Sequence, residues 1–169
     1  MIRTIVKLGD PVLEKPAEQV TDFDSRLREL VDDMFDSMYA AKGIGLAAPQ
    51  IGVSKRIVVV DVSFQNDSDA NIVLLNPVIV STEGKQIMEE GCLSIPGICE
   101  KVMRPSAVSV RAQDVHGNWF ERSAQELLAR VLLHEIDHLD GRLFYSWMSA
   151  LKRELIKRRI RRMVEAGKW

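Results

Sequence analysis

The sequence predicts an α+β fold, in which small antiparallel or mixed sheets pack around a central helix. Three observations carry this expectation. Helical apolar patterns stand toward both ends of the chain, short Val- and Ile-rich runs fill its middle, and "LLHEIDHLDG" at 132–141 sets two histidines four positions apart within a helical stretch. The 169 residues, 46% hydrophobic and 28% charged, suit one packed domain over 1–169. No apolar run approaches the roughly 18 to 20 residues of a bilayer span. The opening "MIRTIVKLGDP" lacks the apolar core of an export signal. A cytoplasmic chain with no membrane contact is expected, one that keeps Cys92 and Cys99 as reduced thiols.

Taken in order, Leu27, Leu30, Val31, Met34, Phe35 and Met38 recur at helical spacing behind Asp22 and Asp24, either of which can accept from first-turn N–H groups. A helix over 24–41, ended near Gly43, is predicted. "RIVVVDV", "NIVLLNPVIV", "KQIMEE" and "AVSVRAQD" then read as strands, with "FQNDSDAN" at 64–71 as a loop. "DVHGNWF" reads as a hairpin turn, which accounts for His116. Ser123 stands three residues before Glu126 in a capping-box pattern, and Leu127, Leu128, Val131, Leu132, Ile136 and Leu139 follow before Gly141. This predicts a helix of about 17 residues. A last helix is predicted from near Ser149, with Leu151, Leu155, Ile160, Met163 and Val164 along one stripe. Residues 152–169 hold eight Lys or Arg against two Glu, a charge of +6, so the overall −1 leaves −7 on the residues before them.

Histidines one helical turn apart can aim ring nitrogens at a single metal ion, so His134 and His138 are candidate ligands. Glu135, rotated by roughly 100°, lies beside such an ion and suits a base acting on water. A catalytic site of this kind needs a third protein ligand. The metzincin pattern would put a histidine where Phe144 stands, and Phe144 cannot ligate. Glu154 and Glu165, possible ligands of the thermolysin type, lie among Lys and Arg that compete for their carboxylates. Cys92 in "EEGCLSIPG" remains as a soft donor and gives a Cys-His-His set with one open position. Cys99 reads as an ordinary thiol near a turn. On these features alone, a zinc endopeptidase and a basic-tailed RNA-binding protein with a closed structural metal site stay open as alternatives.

Three stretches, "GIGLAAPQ" at 43–50, "EGCLSIP" at 90–96 and "HEIDHLDG" at 134–141, resemble in order and spacing the peptide deformylase family of bacterial type. The likeness runs from "GDPVLEKPA" through about residue 148, although Leu133 stands where many members carry glutamine. The resemblance implies a metallohydrolase that removes the N-formyl group from the initiator methionine of nascent polypeptides and releases formate. It implies that Cys92, His134 and His138 bind the metal and that Glu135 serves as general base and acid. Gln50 and the Leu93 backbone N–H would then face the formyl oxygen. Gly43 and Gly45 would leave backbone open to an extended peptide, while Ile44, Leu127 and Val131 would wall an apolar slot for the methionine side chain. The implied cofactor is one divalent ion, ferrous iron, with zinc, nickel or cobalt compatible with the same donors. Expected partners are N-formyl-Met nascent peptides and, through the basic helix 149–169, ribosomal RNA. The chain is expected to act as a monomer.

Overall fold

Alternation along "IVVV" organises the core. In the computed structural model, which describes residues 1–169, these residues form β2 (Ile57–Val60), buried on both faces. Ile57 and Val59 join one apolar cluster and Val58 and Val60 another, as period-two side chains must. Helix α1 (Ser25–Ala40) covers the first face with Leu27, Val31, Met34 and Met38. Its N-terminus is fixed by Asp24, whose carboxylate accepts from the Leu27 N–H at 3.0 Å. Helix α2 (Glu126–Leu139) covers the second face with Leu132, Leu133, Ile136 and Leu139. Each such buried aliphatic side chain contributes roughly 1.5 to 3 kcal/mol.

Around β2 the sheet runs in the order β1 (Gly45–Ala47), β2, β3 (Ile72–Glu83), β6 (Ala107–Gln113), β7 (Trp119–Gln125), and β4 (Gln86–Cys92) pairs with β5 (Ile95–Arg104) as a separate hairpin. Every strand pair is antiparallel, which settles the choice between antiparallel and mixed sheets; the parallel contact is an isolated bridge from Glu18 to Lys55. Turn residues 114–118 connect β6 to β7, and His116 is exposed there. No helix is long and apolar enough to cross a membrane.

Two expectations need correction. Ser123 does not cap α2, because Ser123, Ala124 and Gln125 pair with Ser109, Val108 and Ala107. The ladder wins over the capping box, and α2 starts abruptly at Glu126, a residue at φ +53. Second, helix α3 (Ala150–Glu165) is capped by Ser149 but buries Ile156 and Ile160, whereas Leu151, Leu155 and Val164 are exposed. The face is set by what it meets, Ile95, Ile98 and Phe144, rather than by the longest apolar stripe. The expected strand "NIVLLNPVIV" is present as β3, with a register shift between Leu75 and Val78. Pro77 has no N–H for the ladder, and Asn76, at φ +50, turns its side chain to the Val20 backbone.

Candidate metal centre

Two elements bring the donors together. On α2, Arg130, His134 and His138 follow at intervals of four and share a face turned toward the β4–β5 hairpin. Cys92 ends β4 at an irregularity where the pairing steps from Gly91–Cys99 to Cys92–Ile95. The Cys92 sulfur and one ring nitrogen from each of His134 and His138 all lie within 4.8 Å of one another. Cys92 Sγ is 3.3 Å from His138 Nε2. Phe144, at the position where a metzincin would have its third histidine, packs its ring on His134 with centroids 6.2 Å apart.

The set is built for positive charge. Burial pushes His134 down, but Cys92 and Glu90 outweigh it and draw a proton onto the ring well above the ordinary histidine range. A metal cation would compete for the same donors. His138, pressed by burial and by the charge on His134, is held well below that range. One half-buried cysteine sulfur and two buried imidazoles, convergent at the cleft, suit a divalent transition metal.

Glu135 stands beside this set. It is 5% exposed, one carboxylate oxygen has no hydrogen-bond partner, and burial lifts its pKa to about 7. A carboxylate in that range can take and return a proton near neutrality. Gly45 makes room for it, since a Cβ there would come within 2.8 Å of both Glu135 Oε1 and Val131 Cγ1. The Gln50 amide nitrogen lies 3.2 Å from Ser94 Oγ and 3.7 Å from Cys92 Sγ, while its oxygen accepts from the Ala47 N–H at 2.9 Å. That last bond fixes which end of the amide faces the donors.

A cleft of about 530 Å³ opens onto these groups. Gly43, Ile44, Gly45, Gln50, Leu93, Leu127 and Val131 line it together with Cys92, His134 and Glu135. His138 lies behind them, almost wholly enclosed.

The chain compares with known proteins over its whole length. The family model for polypeptide deformylase matches residues 2–154. The chain belongs to the polypeptide deformylase family. Deformylases are metalloenzymes that remove the N-formyl group from nascent polypeptides, and this chain is an enzyme of that class. It is 62% identical over 169 residues to a peptide deformylase of Acidobacterium capsulatum, covering 100% of this chain and 99% of the relative. A peptide deformylase structure from Legionella pneumophila is similar at 46% identity and a TM-score of 0.91, over 99% of this chain and 98% of that one. One from Plasmodium falciparum is similar at 38% identity and a TM-score of 0.90, over 98% and 97%.

Sequence reasoning missed the groups that support the donors of this deformylase. Glu90 receives His134 Nδ1 at 2.9 Å, Arg104 at 2.6 and 2.7 Å, and Arg130 at 2.8 Å. Arg104 also reaches Asp137 at 3.0 Å, whose carboxylate accepts the Trp147 indole N–H at 2.8 Å. A signal was present: Arg130 and Asp137 interrupt the apolar pattern of α2 at the spacing that places them beside the two histidines.

Proposed function

We propose that Cys92, His134 and His138 hold one divalent ion and that Glu135, Gln50 and Leu93 carry out N-deformylation of formyl-methionyl peptides around it. The observation that carries the reading is the unpartnered, buried Glu135 carboxylate beside a convergent thiol and imidazole pair at the base of the cleft. When bound, the ion supplies Lewis-acid polarisation of the formyl oxygen and lowers the pKa of a water. Glu135 accepts the proton that water loses on attacking the formyl carbon and delivers it to the departing amine. The Gln50 amide nitrogen and the Leu93 backbone N–H donate to the formyl oxygen as it gains charge, a contribution of about 2.7 to 4 kcal/mol for one such donor. Burial around Glu135 keeps bulk water from levelling its basicity.

Ile44, Leu127 and Val131 wall the slot for the methionine side chain, and the backbone at Gly43 and Gly45 takes up the extended peptide along the end strand β1. Ferrous iron is the ion that the family likeness favours, with zinc, nickel and cobalt able to occupy the same donors. A second contact is proposed for α3, whose exposed Lys157, Arg158 and Arg162 offer phosphate-binding charge to ribosomal RNA; such binding would weaken steeply with salt.

Formate release from formyl-Met-Ala-Ser, with metal content measured on the same samples, tests the reading. Cys92→Ala is expected to lose both metal and activity. Full activity in Cys92→Ala would remove the cysteine from the ligand set.

A further inference from the structure

The chain leaves β2 through a turn of unusual conformation. Phe64 and Gln65 both adopt left-handed backbone, at φ +57 and +66, a region that residues with a Cβ seldom enter. Asp61, 1% exposed, holds this turn together. Its carboxylate accepts from the N–H and hydroxyl of Ser63, from the Gln65 N–H and from the Tyr39 hydroxyl. The outcome is a phenylalanine 67% exposed to solvent, lining the same cleft as Lys42, Gly43 and Ile44. A large aromatic side chain kept in water by a strained and well-anchored turn invites a functional explanation.

Strand pairing gives the direction in which Phe64 lies. Gly45 pairs with Val60, and the Asp61 N–H donates to the Ile44 carbonyl at 2.9 Å. Residues 61 to 64 therefore run outward past Gly45, away from Glu135. A formamide carries only a hydrogen on one side of its carbonyl carbon and the entire peptide on the other. Beyond the slot that Ile44, Leu127 and Val131 form for the methionine side chain, the part of the substrate left to meet Phe64 is the peptide that follows the methionine.

We propose that Phe64 is a specificity-determining residue for the peptide downstream of formyl-methionine, its ring packing against an apolar or aromatic side chain at the second or third residue. The inference rests on the reading above, in which the formyl group is hydrolysed beside Glu135 with Gln50 and the Leu93 N–H facing its oxygen. Preference beyond the first residue then comes from one exposed ring, while main-chain pairing stays indifferent to sequence.

The test measures formate release from formyl-Met-Ala-Ala, formyl-Met-Phe-Ala and formyl-Met-Ala-Phe by the metal-loaded enzyme, Phe64→Ala and Phe64→Tyr. The unaltered enzyme is expected to favour one phenylalanine peptide by about threefold to tenfold in kcat/KM, through KM with kcat constant. Phe64→Tyr should keep that preference and Phe64→Ala should lose it. An equal preference in Phe64→Ala, or none in the unaltered enzyme, overturns the role of Phe64 while formate release continues to support deformylation. No formate from any of the three peptides overturns both.

Discussion

At His134 the two ring nitrogens have separate tasks: Nδ1 meets the Glu90 carboxylate at 2.9 Å, which leaves Nε2 for a cation. Burial alone would raise Glu90, yet hydrogen bonds from His134 and Arg104 hold its pKa down at about 2, so it stays anionic and keeps the ring oriented. Glu90→Gln retains the shape but removes that charge, and metal affinity is expected to fall about 10- to 100-fold. Competition with a chelator measures it, and unchanged affinity would show that the carboxylate does not tune the ligand. Away from the centre, burial and then the Asp61 carboxylate push Tyr39 up to about 12. A folded pKa above the unfolded value of 10.0 means that the contribution to stability is whole below pH 10 and disappears as pH rises toward 12. Tyrosinate absorbance should show Tyr39 titrating late, and Tyr39→Phe should flatten the alkaline loss of stability in that window. A Tyr39 that titrates at 10 would contradict this.

Among the elements, β1 and α2 meet at the point of chemistry. A Cβ on Gly45 would strike the Glu135 carboxylate and the Val131 side chain at 2.8 Å, both fixed by the buried helix. On Gly43 the same atom would meet the end of the Leu93 side chain at 2.7 Å, which can swing aside. Gly45→Ala is therefore expected to lower kcat by about 10- to 100-fold, with Gly43→Ala much milder; equal effects in steady-state assays would count against the close approach. Elements were unequally legible in the sequence. α1 was readable because Asp24 and a regular apolar repeat agree, and the outcome matches within a residue at each end. β1 was not, since three residues beginning with glycine carry no alternation, and their strand character comes from pairing with β2. The start of α2 was misread because capping and pairing compete at Ser123, and the partner strand is distant in sequence.

Over the whole molecule, α2, α1 and α3 each pack into an apolar cluster of their own, and Glu90, Arg104, Arg130 and Asp137 are joined by ion pairs into one buried charged network. The fold class was legible because period changes along a chain mark where helices give way to strands. Cys92 and the histidines were legible because metal chemistry restricts residue type and spacing. The network was not, for each of its members has ordinary surface chemistry until folding brings opposite charges together in the interior. Burial of Glu135 itself lifts its pKa to about 7, with the charges of His134, Glu90, Arg104 and Asp137 acting in opposite directions around it. The central claim is that this carboxylate moves the protons of formamide hydrolysis. Its most direct test is formate release from formyl-Met-Ala-Ser by Glu135→Gln, with bound metal measured in the same sample. The account expects a full complement of metal with kcat reduced by about 10²- to 10⁴-fold; metal-loaded Glu135→Gln turning over at the unaltered rate would contradict it.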